Sequence, residues 1–325
     1  MKTRLDSRFL AQSASVLLLL PVLAIASISA DKELEYPEYR PSERDITLSR
    51  SEYANHLYGF WLGQCIANWT GLRTELHREE APFYTDANWG GKSDKGRKIN
   101  FVLKGENSVW MADDDTDIEY IYQHALDKTN TSVLSPEAIS EAWVRHIRVL
   151  EDGEPYKLWV SNKTAWSLMS EKGILPPDTS DPASNPNWDM IDAQLTTEIF
   201  GLFAPHRPDV ALDIAHLPIR TTAYQEAQWI SEFYVIMHSL ALSAGANQGM
   251  HERTVWLAEQ ARKRLPAGSY SAAMYDFVKA DYEANPDKDD WERTRDAVYQ
   301  RYQLEPGDGY QYKKQSMQAS TLQLE

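Results

Sequence analysis

Between Ser51 and Arg301 the apolar residues recur at three- and four-residue spacing, and no run sustains the alternation of a half-buried strand. That leaves helix packed on helix as the way to build a core. Ile118, Ile121, Tyr122 and Ala125 form one such stripe after Asp115. Further helices are expected at about 135–150, 161–171, 189–203, 206–216, 221–243, 249–264, 268–283 and 289–301. Pro136, Pro205 and Pro266 fit their boundaries. Residues 84–111 read as irregular, and Pro176 to Trp188, with four prolines, as a loop. No internal repeat is present. The expectation is an all-α domain over 49–305, with a charged, proline-bearing arm at 31–48 and an irregular tail at 306–325.

Residues 1–30 stand apart from the fold. Lys2, Arg4 and Arg8 precede a stretch, Ala14 to Ile25, that is apolar apart from Ser15, and small residues follow to Ala30. This is the layout of a secretory signal, cleaved after Ala26 or Ala30, with an apolar run short for a membrane span. Export, periplasmic or secreted, is therefore expected, with no membrane span once the signal is removed. Its loss would take the net charge from −15 to about −17, a balance that repels phosphate backbones and speaks against nucleic acid as a partner. Cys65 is the single cysteine, so no intrachain disulfide forms and stability must come from the core. Set in an apolar run, Cys65 reads as an inert buried thiol.

Gly59, Gly63, Ala67 and Gly71 repeat every fourth residue and form one row on the first helix. Glycine costs about 1 kcal/mol in a helix interior relative to alanine, and tight packing against another helix is the expected reason for the row. The second feature is electrostatic. Five of the seven residues from Asp113 to Glu119 are acidic, at the start of a helix. Capping and the helix dipole explain one or two acids there, not three side by side before Thr116. Adjacent carboxylates repel more strongly as a site dries, and a divalent cation with oxygen ligands relieves that repulsion. Spacing alone leaves metal binding and solvated capping both open.

Gly59-Phe60-Trp61-Leu62-Gly63-Gln64 followed by Gly71-Leu72-Arg73-Thr74-Glu75 resembles the opening helix and Gly-x-x-x-Glu turn of the ADP-ribosylglycohydrolases. Met111 to Ile118 is similar to their Thr-Asp-Asp-Thr motif, with Asp113 where the family usually has threonine, and Ala193 to Pro205 is similar to their middle helix. The resemblance spans about Tyr53 to Ser243. It implies a compact orthogonal helical bundle and a dinuclear magnesium centre with Asp113, Asp114, Asp115 and Thr116 as ligands. Asp114 and Asp115 would be catalytic, and Glu75, Asp192 and Glu198 would face the substrate. The implied reaction is hydrolysis of an N- or O-glycosidic bond to ADP-ribose or a related ribosyl group, on a small molecule or a protein.

Two departures matter. The family's glycine-rich stretch in the middle helix is here Met190 to Leu195, which brings in Asp192; solvent exposure is the alternative expectation for Asp192 and Glu198. The family also completes its site with an Asp-x-Asp pair on a late helix. Here the pairs Asp113-x-Asp115 and Asp115-x-Asp117 lie inside the first cluster, and no such pair is expected elsewhere. C-terminal truncation, with helices partly missing and one metal or none held, is the corresponding expectation. The alternative function is a catalytically impaired ligand-binding remnant, and a third reading is a metal-free hydrolase using two carboxylates such as Asp114 and Glu198.

Other residues carry less. Trp110, Trp143, Trp159, Trp166, Trp188, Trp229 and Trp256 mostly fall on apolar stripes and are expected in the core. His124, His146, His216 and His238 lack zinc-ligand spacing. Arg220-Thr221-Thr222 is expected to open the 221–243 helix, as a cap or a phosphate site. Asn68, Asn130 and Asn162 begin glycan-acceptor triplets.

Overall fold

The computed structural model describes Arg40, Ser42 and residues 45–156, 158–242 and 249–307. The expected signal, most of the arm and nearly all of the tail lie outside the described residues. Among these residues the fold is helical: α1 Arg50–Gly71, α2 Asp114–Thr129, α3 Pro136–His146, α4 Val160–Lys172, α5 Asp192–Thr196, α6 Ile199–Phe203, α7 Pro208–Ile219, α8 Glu226–Ala241, α9 Met250–Arg262, α10 Tyr270–Ala284 and α11 Trp291–Val298. A π turn, Tyr299–Leu304, follows α11. No strand forms among the described residues; Lys92 with Lys98 and Val149 with Pro155 are isolated bridges in the irregular segments. None of the described helices is long and apolar enough to cross a membrane.

Local chemistry sets the helix ends. Ser49, Ser135 and Ser269 each accept a backbone N–H in the first turn of the helix they precede, and Pro136 occupies the start of α3, where its missing donor costs nothing. Gly173 ends α4 at φ 65°, a left-handed conformation open to glycine. Ile118, Ile121, Tyr122 and Ala125 of α2 are buried, as their spacing requires. They pack with Trp143 of α3, Trp166 of α4, Phe200 of α6 and Ile230 of α8 into one large core. α8 is the central element: its other side, Phe233, Ile236 and Leu240, builds a second cluster with Leu257 and Ala261 of α9 and Ala272 of α10. Glu226, buried at the start of α8, accepts the N–H groups of Tyr270 and Ser271 at 3.0 and 3.1 Å and so caps α10 from a neighbouring helix.

Three expectations change. The middle helix is broken into α5 and α6: the Thr197 hydroxyl turns back to the Ala193 carbonyl at 2.6 Å, and the Ile199 N–H leaves the ladder for a side chain described below. The long helix opens at Glu226, not at Thr221. Thr221 bonds back to the Leu217 carbonyl, and the Arg220 guanidinium lies over Tyr224 while donating to Ser180, so this segment ends α7 and caps nothing. Most consequentially, the small-residue row of α1 packs against no helix. A Cβ built on Gly59, Gly63 or Gly71 meets nothing within 4 Å. The glycine that close packing does require is Gly201 in α6, where a Cβ would lie 2.4 Å from the Val235 carbonyl oxygen of α8.

Candidate metal centre and its cleft

The exposed row of α1 is the floor of a cleft of ≈ 760 Å³. Gly59, Gly63, Ala67 and Gly71 leave the helix backbone bare along it. Asp113, Asp115 and Thr116 at the head of α2 form one wall, Leu195 and Glu198 at the α5–α6 break another, and His238 of α8 and Glu75, in the turn after α1, also line it. A second hollow, of ≈ 810 Å³, lies between residues 76–94 and the π turn, but its arginine, Arg78, is already paired with Asp94 at 2.9 Å. The chemistry gathers in the first cleft.

The acids there are not helix caps. Asp113 occupies the cap position of α2 yet makes no side-chain cap bond. Its Oδ1 accepts instead from Asn68 Nδ2 of α1 at 3.1 Å, and the same amide lies 3.1 Å from Thr116 Oγ1. One oxygen each of Asp113, Asp114 and Asp115 lies within 4.8 Å of the others. Asp114 Oδ2 is buried without a hydrogen-bond partner. Burial, then the charges of Asp113 and Asp192, pushes Asp114 up to about 7. Burial and the charges of Asp114 and Asp113 push Asp115 well above the carboxylate range. Crowded oxygens with an orphaned buried lone pair are what a hard cation takes as ligands, so these residues fit magnesium or calcium.

The expected site residues divide by depth. Glu75, Asp113, Asp115, Thr116 and Glu198 line the cleft, and Asp114 joins Asp113 and Asp115 in the acid cluster at its edge. Asp192 is 2 % exposed, so the solvent alternative fails for it. It lies behind the lining, its Oδ1 accepting the Asn162 N–H at 2.9 Å, with its charge felt at Asp114 and Asp115. Solvent fails for Glu198 as well, since it borders the cleft against Gln64. Contrary to expectation the chain does carry a later Asp-x-Asp spacing, Asp287 and Asp289, but it falls in an exposed turn before α11, where Asp287 accepts the Asp289 N–H. Asn162 is fully buried, which removes its glycan-acceptor triplet as an accessible site, and the Asn68 amide at the cleft lining is engaged by Asp113 and Thr116. Cys65 is half-buried, and burial with the Asp113 charge pushes its thiol up, away from nucleophilic use. Of the tryptophans, Trp143 and Trp166 are core, whereas Trp159 is half exposed.

Gln64, Asn68 and Glu119 were not among the expected site residues. Gln64 and Asn68 stand one turn apart on α1, and Glu119 one turn beyond Asp115 on α2, so helical spacing from the motifs was the available signal. Glu119 is fully buried. Its Oε1 accepts the Ile199 N–H freed by the helix break at 2.8 Å, and its Oε2 accepts from Gln64 at 2.5 Å.

Searches among curated proteins and among solved structures found no match to the chain. A model of the ADP-ribosylglycohydrolase family matches residues 49–323, which takes in every helix described above. That family carries glycohydrolase activity, and the helical architecture agrees with it. On this match the chain belongs to the ADP-ribosylglycohydrolase family.

Proposed function

We propose that the protein hydrolyses an N- or O-glycosidic bond joining ADP-ribose, or a related ribosyl group, to its acceptor, with magnesium held by Asp113, Asp114, Asp115 and Thr116. The observation that carries the reading is the crowding of three carboxylates beside an open cleft, with a buried Asp114 oxygen left without a partner. Magnesium bound there supplies positive charge that orients ribose hydroxyls and polarises water. The remaining work falls to the chain's own groups. Asn68 fixes Asp113 and Thr116 in one orientation, and the absent side chains of Gly59, Gly63 and Gly71 let a flat, polar ligand lie against α1. Glu75 and Glu198 stand at the cleft lining, Glu75 placed to accept hydroxyl hydrogens and Glu198 to face the bond that breaks. An acidic cleft on a chain of net charge −15 repels a diphosphate until cations neutralise it, so ligand binding should follow metal binding.

The test is release of free ADP-ribose from N- and O-linked ADP-ribosyl substrates, with magnesium and with chelator. Magnesium-dependent release on either linkage supports the reading. Binding without turnover on both supports a remnant, and chelator-insensitive turnover supports two-carboxylate chemistry. Export stands as a further proposal on residues 1–30, checked by sequencing the N-terminus of the mature protein: a start near residue 27 or 31 agrees, and an intact Met1 opposes it.

A further inference from the structure

Gln64 lies between two acids that the metal cluster does not use. Its Nε2 donates to Glu119 Oε2 at 2.5 Å and reaches Glu198 Oε2 at 3.4 Å. Glu119 has a second donor, the Ile199 N–H, and touches no cleft surface; Glu198 borders the cleft. The Glu198 charge is felt at Asp115 of α2 and Tyr234 of α8, and His238 of α8 lines the same cleft as Glu198. Burial holds His238 down at about 4, so it is neutral. Neither acid has a salt-bridge partner among the described residues. Two carboxylates gathered on one amide, with no cation to balance them, do not both ionise in so dry a place. Burial pushes Glu198 up to about 7, and burial with the Glu198 charge pushes Glu119 well above its ordinary range. Gln64 Oε1 is also buried without a donor. A half-turn of the amide, whose oxygen and nitrogen are assigned by such contacts, lets a protonated carboxyl supply one.

We propose that Glu119, Gln64 and Glu198 form a proton store for the cleft, in which the two acids hold one proton between them and Glu198 delivers it to the leaving atom. The proposal rests on the glycohydrolase reading. In the step, the bond from ribose C1 to the acceptor nitrogen or oxygen breaks with its electron pair going to that atom. The atom takes the Glu198 proton, a water oxygen bonds to C1, and the proton this water loses returns to the vacated carboxylate pair. Glu198 is then a catalytic residue and Glu119 a positioning residue.

The test uses the magnesium-loaded protein and two substrates: an ordinary ADP-ribosyl glycoside, and an aryl glycoside whose leaving group departs without a proton. Glu198→Gln should lower kcat on the first by about 100-fold or more with KM little changed, and spare the second. Glu119→Gln removes a neighbouring negative charge, so the alkaline limb of the wild-type kcat profile should move to lower pH. If that variant fails to fold, Gln64→Met, which removes the bridging donor, should move the same limb to higher pH. Equal losses on both substrates, or limbs that stay in place, overturn the proposal. A wild type inactive on every glycoside removes the glycohydrolase reading and the delivery role together. The shared proton is judged apart from activity, by an infrared carbonyl band of a protonated carboxyl at neutral pH that is lost in Glu119→Gln and Glu198→Gln. Absence of that band from the wild type overturns the store.

Discussion

Asn68 Nδ2 lies 3.1 Å from Asp113 Oδ1, joining the last turn of α1 to the head of α2 at the cleft wall. The bond explains why Asp113 leaves its cap unmade: its oxygen is turned toward the other acids, not toward its own helix. A site whose geometry is held by a neighbouring side chain should weaken when that neighbour is removed.

Asn68→Leu keeps the volume and removes the donor. The folded protein should persist, while magnesium affinity falls by about 10- to 100-fold, the usual loss when an outer partner of a metal ligand is removed. Calorimetric titration of magnesium into both proteins measures it, and equal affinities would show that Asn68 positions nothing.

Two glycine substitutions should act in opposite directions. Gly201→Ala forces a methyl against the Val235 carbonyl, the His238 Cβ and the Ser239 backbone nitrogen, and overpacking of that kind costs about 1–3 kcal/mol or more. Gly63→Ala meets open space, so stability should rise by up to about 1 kcal/mol from helix propensity alone. The same methyl narrows the cleft floor, and ADP-ribose binding should weaken. Urea denaturation and ligand titration of the two variants separate packing from cleft lining.

The metal-free protein should lose stability as pH rises from about 4 to 7. Asp114 is pushed from 3.8 to about 7 and Asp192 from 3.8 to about 6, so across that window the folded state holds protons the unfolded chain has released. With more protons bound to the native state, stability falls with rising pH, and the loss is complete above the folded values. Magnesium reverses the trend, because it binds the ionised acids and its stabilisation grows toward alkaline pH. Melts at about pH 5 and pH 8, with and without magnesium, check both slopes; Asp114→Asn should flatten the metal-free one.

The helical architecture was readable because its signals are local. Stripes such as Ile118 to Ala125, caps such as Ser135 before Pro136, and the boundary prolines each act within a turn or two of their own position. The acid cluster was readable for the same reason, being contiguous. What escaped depends on partners far along the chain. The row from Gly59 to Gly71 looks the same whether a helix or a ligand lies against it, and only the packing shows open space. The break at Thr197 is stabilised by Glu119, eighty residues earlier, whose carboxylate takes the Ile199 N–H. Asp192 and Glu198 belong to a segment whose helical pattern favoured solvent for its acids, and burial of Asp192 and the cleft position of Glu198 come from α4 and α1.

Magnesium binding to the acid cluster is the point on which the enzymatic reading turns, and thermal melting tests it most directly. Magnesium should raise the melting temperature of the wild-type protein in a concentration-dependent way, and Asp114→Ala and Asp115→Asn, both folded, should lose that rise. A wild type whose melting temperature magnesium leaves unchanged, or variants that keep the full increase, would contradict the assignment of Asp113, Asp114, Asp115 and Thr116 as metal ligands.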